Sequence, residues 1–269
     1  MHNAALAELA RRDPRFGDWR YFRFEIHPDD LPRALELLHA KKFRGVNLTV
    51  PHKIIAFDRV AAVDAAARPV GAVNTLRWSE RGWHGFNTDG YGLATAVRET
   101  LGLELAGAEI VLLGAGGAAR GAAVECLQRG CASLWVANRT RENLDALLAT
   151  LAPLAAGIVV RGFAPSAPPA GLPPGALVIN ATSAGLRAGD SLPVDLAALP
   201  RPRAVFDMIY NPPQTALLQA AAAQRIPQAN GLRMLVHQGA KALEIWSGVP
   251  AAATAPTMAT AAAGALGAR

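Results

Sequence analysis

Apolar positions recur along this chain with two different periods. From Asp29 to Lys41, Leu31, Ala34, Leu35, Leu37 and Leu38 fall at helical spacing. Asp29 or Asp30 can cap that helix, and Pro32 sits in an early turn, where a missing amide hydrogen is tolerated. Gly45 to Val50 then reads as a short strand stopped by Pro51. A helix after His52, a strand over Ala72 to Leu76, a turn at Arg81-Gly82 and a return run from Trp83 to Phe86 predict a further helix and a hairpin. From Tyr91 the order changes to a helix through Glu99, a strand at Ile110 to Leu113, a glycine-rich turn, a helix to Gln128 and a strand at Ser133 to Ala137. Strand-helix-strand order needs crossovers, and therefore a parallel sheet covered by helices. Beyond the Pro/Gly-rich stretch Ala164 to Gly175, the runs Ala176 to Ile179 and Ala204 to Phe206 read as buried strands. The fold expected is α/β in two domains, 1–90 and 91–230, with a helical segment 231–269 that packs back on the first.

Composition narrows the class. With 51% apolar and 18% charged residues over 269 positions, the chain can bury a real core and is far from the disordered range. The net charge of +6 favours anionic ligands, but its arginines are scattered among acidic residues rather than gathered in a stripe, which argues against nucleic acid. Cys126 and Cys131 read as buried free thiols, and with no secretory leader pattern at the start the expected setting is the reducing cytoplasm. Ala251 to Ala268 is interrupted by Pro256 and carries Thr254, Thr257 and Thr260, so it reads as a C-terminal helix of a soluble protein and not a membrane span. The six histidines show no paired ligand spacing, and no metal is expected.

The sharpest local signal is Gly114-Ala115-Gly116-Gly117-Ala118-Ala119, which follows a predicted strand and opens a predicted helix. That is the setting of a dinucleotide-binding turn: Gly114 permits the tight bend, Gly116 lets the backbone approach a pyrophosphate, and a small residue at Ala119 allows close packing. A plain turn between strand and helix uses the same residues, so the loop alone leaves both readings open. The next strand ends in Asn138-Arg139-Thr140-Arg141, with Arg139 standing 23 positions after Gly116 where NAD-specific domains carry an acidic residue. A guanidinium there suits a 2′-phosphate, which makes NADP the predicted cofactor. In the first half, Asn47 and Thr49 alternate with Val46, Leu48 and Val50 so as to share one face, Lys53 follows just past the strand, Asn74 and Thr75 end another strand, and Asn87-Thr88-Asp89-Gly90 follows the hairpin. Each is ordinary alone; together they suggest a polar cleft.

These residues resemble the shikimate dehydrogenase family. The runs that carry the resemblance are Gly45 to Lys53, Gly71 to Thr75, Asn87 to Gly90, Gly114 to Ala118, Asn138 to Thr140, Ala181-Thr182-Ser183-Ala184-Gly185, Asp207 to Tyr210 and Gly231 to Gln238, all in order over nearly the whole chain. The resemblance implies a substrate domain completed by C-terminal helices, an NADP domain of Rossmann type and a cleft where they meet. It implies Lys53 and Asp89 as the catalytic pair, Asn47, Thr49, Asn74, Tyr210 and Gln238 on the substrate side, and Met208 and Gly231 beside the nicotinamide. Gly114, Ala115, Gly116, Gly117, Ala118, Asn138, Arg139 and Thr140 are then the remaining cofactor contacts. The implied reaction is reversible reduction of 3-dehydroshikimate to shikimate with NADPH, a step toward aromatic amino-acid precursors. The expected partner is that small molecule, with no nucleic acid or membrane, in a monomer or homodimer. A quinate-specific relative using NAD, or a non-catalytic NADP-binding protein, are the alternatives.

The sequence departs from the family at its start. Family members begin with a strand and a Ser-x-Ser-Pro loop that grips the substrate carboxylate, whereas this sequence opens at Met1-His2-Asn3-Ala4-Ala5. Two hydrogen bonds to a carboxylate contribute together about 3–6 kcal/mol, so weakened shikimate binding is expected of these residues as they stand. An unpaired sheet edge and an upstream start of translation are expected for the same reason. A second arginine common in the family's phosphate site is Asn143 here, with Arg141 as a candidate substitute.

Overall fold

A computed structural model describes residues 1–187 and 189–267. The chain divides at Gly92/Leu93 and Leu235/Val236 into two units, the first discontinuous in sequence.

The first unit, Met1–Gly92 with the described residues from Val236 onward, is built on a four-stranded sheet. Its strands are β1 (Gly45–Asn47), β2 (Ala62–Val63), β3 (Thr75–Ser79) and β4 (Gly82–Phe86), in the order β1-β3-β4-β2. β3 and β4 form the predicted hairpin, with Thr75 opposite Phe86 and Ser79 opposite Gly82, whose φ of +122° suits glycine. Helices α1 (His2–Arg12), α2 (Leu31–Ala40) and α3 (His52–Phe57) belong to the same unit. Leu31 and Leu35 of α2 bury with Leu48, Ala56, Val73, Leu76 and Trp83. Leu37, expected on that face, is 59% exposed, because positions 31, 35 and 38 already define the stripe and 37 lies off it. The expected strand Gly45–Val50 stops at Asn47, since its partner β3 begins at Thr75 and only the bond from Leu48 N to Asn74 O continues beyond. β1 stands at the edge of the sheet.

Of the two C-terminal helices, α8 (Leu232–Ser247) places Trp246 on the first sheet, where its Nε1 donates to Leu76 O at 2.9 Å. The indole lies so close to Gly45 that a Cβ there would stand 1.9 Å from Nε1. α9 (Ala251–Gly267) packs on α1 and continues past Pro256; Ala268, included in the expected helix, lies outside the described residues. Among the described residues, no helix is long and apolar enough to cross a membrane.

The second unit, Leu93–Leu235, holds a six-stranded parallel sheet. Its strands are β5 (Glu109–Leu113), β6 (Ser133–Ala137), β7 (Val159–Phe163), β8 (Leu177–Asn180), β9 (Ala204–Asp207) and β10 (Gln228–Asn230), ordered β10-β9-β8-β5-β6-β7. β6, β8 and β9 are buried throughout, which explains their continuous apolar runs. β7, which the hydrophobic pattern does not reveal, is an edge strand with Val159 exposed and Arg161 lying over the Trp135 ring. The first strand, β5, is flanked by β6 and β8, so the crossovers leave it in opposite directions and open the sheet at its carboxyl ends. Helices α5 (Gly117–Gln128), α6 (Arg141–Leu151) and α7 (Ala216–Ala223) belong to this unit, and α4 (Asp89–Leu101) begins before it.

Candidate active site

In the first unit a set of polar side chains locks together around one ion pair. Lys53, in the first turn of α3, donates from Nζ to Asp89 Oδ2 at 2.7 Å. The side chains of the pair are 23% and 21% exposed, so the pair is shielded yet reachable. Asn74 Nδ2 donates to the other carboxylate oxygen, Oδ1, at 2.9 Å. Asn74 is itself buried, and its Oδ1 accepts from Thr88 N at 2.9 Å and from Thr75 Oγ1 at 2.9 Å. Thr75 Oγ1 in turn accepts from Asn47 Nδ2 at 3.0 Å.

Asn47 Oδ1 accepts from the Tyr21 hydroxyl at 3.0 Å. Tyr21 is stacked on His2 at 4.1 Å, and burial pushes its phenol pKa up, so the group stays a donor. The chain of bonds from Tyr21 to Lys53 fixes which way each amide faces, because a carboxylate only accepts and an ammonium only donates. Such an arrangement holds an ammonium ready to give a proton to a nearby oxygen that gains charge.

Sequence reasoning singles out Lys53, Asn47, Asn74, Thr75 and Asp89 but passes over Tyr21. Its bond to Asn47 spans 26 residues, and no local pattern signals it. Thr49 is exposed beyond the end of β1, so the face it was expected to share with Asn47 does not continue. Gln238 is half-buried on α8; among the described residues, neither it nor Thr49 joins the hydrogen-bonded set.

In the second unit, a cavity of about 310 Å³ opens at the carboxyl ends of β5, β6 and β8. Gly114, Ala115 and Gly116 form one wall, Asn138, Arg139 and Thr140 a second, and Ala181 to Ala184 a third. Gly114 has φ +109°, a conformation that favours glycine, and a Cβ on it would stand tightly against Thr182 Cγ2 at 3.0 Å. Gly117 and Ala118 form the first turn of α5, whose N-cap, Gly116, makes no side-chain bond to it. The leading amides of α5 are therefore open to an anion. These features fit a nucleotide phosphate.

Arg139 is exposed on the rim, and among the described residues no carboxylate pairs with it. Arg141, the candidate substitute for a second phosphate contact, is held instead by Asp145 at 2.8 and 2.9 Å, one helical turn on. Asn143 lines the cavity in its place. Met208, Tyr210 and Gly231 lie outside these walls, after β9 and β10. Met208 and Gly231 are in contact, for a Cβ on Gly231 would stand 2.1 Å from Met208 O, and Gly231 N donates to Ile209 O at 3.0 Å. Thr182 and Ser183 are wall residues that the sequence marks only as part of a motif.

Known proteins share these sites' scaffold. Residues 1–76 match the shikimate dehydrogenase substrate binding domain, and residues 231–258 match the shikimate 5'-dehydrogenase C-terminal domain. A shikimate dehydrogenase (NADP(+)) of Thermosynechococcus vestitus is 39% identical over 280 residues, covering 99% of this chain and 90% of that protein. Among solved structures, the shikimate 5-dehydrogenase of Thermus thermophilus in complex with NADP(H) and shikimate aligns with a TM-score of 0.78 and 30% identity, over 96% of this chain and 94% of that one. The ligand-free 5-ketofructose reductase of Gluconobacter sp. strain CHM43 aligns with a TM-score of 0.81 and 33% identity, over 96% and 93%. With a relative this similar matched along nearly its full length, the chain belongs to the shikimate dehydrogenase family.

Proposed function

We propose that this protein catalyses the reversible, NADP-dependent reduction of 3-dehydroshikimate to shikimate, with Lys53 and Asp89 as the catalytic pair. The observation that carries the assignment of the pair is the 2.7 Å bond between Lys53 Nζ and Asp89 Oδ2 inside a set of oriented amides. Bound NADPH supplies a hydride to the carbonyl carbon. The carbonyl oxygen then carries negative charge, and the Lys53 ammonium both stabilises that charge and gives it a proton, completing the alcohol. In the oxidative direction the neutral amine takes the proton back. Asp89 keeps the ammonium in place and accepts a hydrogen bond from a ring hydroxyl, while Asn74 holds the carboxylate. Asn47, Thr49, Tyr210 and Gln238 complete the substrate contacts.

On the nucleotide side, Gly114, Ala115, Gly116, Gly117 and Ala118 would take the pyrophosphate and Asn138, Arg139 and Thr140 the adenosine 2′-phosphate, with Met208 and Gly231 beside the nicotinamide. The guanidinium on the cavity rim, with no carboxylate paired to it among the described residues, supports NADP over NAD. The same reading puts the enzyme in the cytoplasm as a monomer or homodimer; its two buried free cysteines suit a reducing compartment.

The test is absorbance of the reduced nicotinamide when the protein is mixed with shikimate and NADP+. Steady formation of NADPH is expected, and none at saturating shikimate defeats the reading. A second reading, reduction of a different polyhydroxylated ketone, draws on the likeness to 5-ketofructose reductase. It would be favoured by a kcat/KM higher for 5-ketofructose than for 3-dehydroshikimate.

A further inference from the structure

Resting on the NADP reading above, we propose that Asp207 is a positioning residue of the nucleotide site, fixing the orientation of the Asn180 amide and through it the loop that forms one cavity wall. Asp207 ends β9 directly opposite Asn180 at the end of β8, and both are fully buried. Its Oδ1 accepts from Asn180 Nδ2 at 2.9 Å and from Ile209 N at 3.0 Å; its Oδ2 accepts from Thr215 Oγ1 at 2.6 Å.

A carboxylate has nothing to donate, so the atom that Asn180 presents to it is the NH2 group. Asn180 Oδ1 is thereby turned toward the following loop, where it accepts from Thr182 N at 3.0 Å and from Thr182 Oγ1 at 2.7 Å. Thr182 Oγ1, having donated to Asn180, accepts from Ala184 N at 3.1 Å. Every bond in this series has one permitted direction, and the series ends on residues that line the cavity next to Gly114. The carboxylate also holds the turn after β9. Besides the Ile209 amide, Met208 N donates to Asn180 O at 3.0 Å, and Ile209 O accepts from Gly231 N at 3.0 Å.

Packing alone does not call for this group. Burial penalises the charge and pushes the Asp207 pKa up, whereas an apolar side chain would fill the same site without that cost. What an apolar side chain cannot do is choose the direction of the Asn180 amide.

The experiment measures NADP+ affinity of the full chain by calorimetry, with thermal melts alongside. Asp207→Leu should weaken NADP+ binding by about 10-fold or more, while Asp207→Asn, which keeps one acceptor for Asn180 and Ile209 and turns its NH2 to the Thr215 hydroxyl, should stay within about threefold. In turnover, Asp207→Leu should raise KM for NADPH by about 10-fold or more, with any fall in kcat smaller than that rise, because the Lys53–Asp89 pair is untouched. Should Asp207→Leu not fold, Thr215→Val, which removes one donor outside the cavity, should weaken NADP+ binding by about fivefold, with Thr215→Ser restoring it. A folded Asp207→Leu or Thr215→Val protein with wild-type affinity overturns the proposal. Failure of the wild-type protein itself to bind NADP+ overturns the functional reading and the proposal together.

Discussion

The two candidate sites are made of different materials. Around Lys53 and Asp89 the working groups are side chains, each oriented by another side chain: Asn74 on Asp89, Thr75 on Asn74, Asn47 on Thr75 and Tyr21 on Asn47. In the cavity of the second unit one wall is a glycine-rich turn, where Gly114 holds φ +109° and stands close to Thr182, and Arg139 lies on the rim. The difference teaches where each site should be fragile. A site of interlocked side chains is sensitive to the loss of one polar atom, even where shape is kept. A site walled by a glycine turn is sensitive to an added Cβ or to a shift of a wall loop, with its charge preference resting on Arg139.

Removing the ammonium gives the largest expected effect. Lys53→Ala should lower kcat by about 10²–10⁴-fold with a smaller change in KM, the range typical of a lost general acid. NADP+ affinity measured by calorimetry should stay unchanged; near-wild-type kcat in this variant removes the assignment.

The units should also part in their response to acid. Burial lowers the His2 pKa from 6.5 to about 4, so between those values the unfolded chain binds the extra proton and the folded one does not. Stability from this group is present above pH 6.5 and lost as pH falls toward 4, by about 3 kcal/mol. Asp207, in the second unit, has the opposite sign: its raised pKa favours the folded state at low pH and loses that contribution as pH rises through the folded value. Urea midpoints between pH 7 and 4.5 should therefore fall steeply for the wild type and less for His2→Gln; parallel curves would contradict the first half of the contrast.

A smaller change is expected at the cavity rim. Arg139→Ala should weaken NADP+ by about 10-fold or more and leave NAD+ nearly unaffected, since only NADP carries the 2′-phosphate. Arg141→Ala, whose guanidinium is engaged by Asp145, should change neither, and an equal loss from both would show that the loop acts as a diffuse positive patch. Smallest of all, Tyr21→Phe removes one hydroxyl from the far end of the side-chain chain and should lower kcat by about two- to fivefold with KM for NADPH unchanged. A kcat equal to wild type would shorten the working network to Asn47 and the groups beyond it.

Much of the second unit was legible because its physics is local. β5, β6, β8 and β9 are short apolar runs bounded by breakers, and a glycine turn between a buried strand and a helix has few uses. β7 and β10 escaped for the same reason: their burial is partial, so they lack that signature. In the first unit the hairpin was visible, but α1 was not. Its buried residues, His2, Ala5 and Leu6, face helices more than two hundred positions away in sequence. The Lys53–Asp89 pair was singled out by its motifs, yet the 2.7 Å between them depends on the first turn of α3 and the start of α4 arriving together.

By itself the sequence determined which apolar runs are buried strands of the parallel sheet, that a glycine turn joins one of them to a helix start, and which amine, carboxylate and amide groups are candidates for proton-transfer chemistry. Those are set by periodicity, by glycine's freedom of φ and by functional-group identity, all of which act over a few residues. Only tertiary structure decided that Tyr21 is tied to Asn47 and that a fully buried carboxylate stands behind the cavity wall. Hydrogen-bond direction and burial are properties of neighbours brought together across the fold, and no stretch of contiguous sequence contains them.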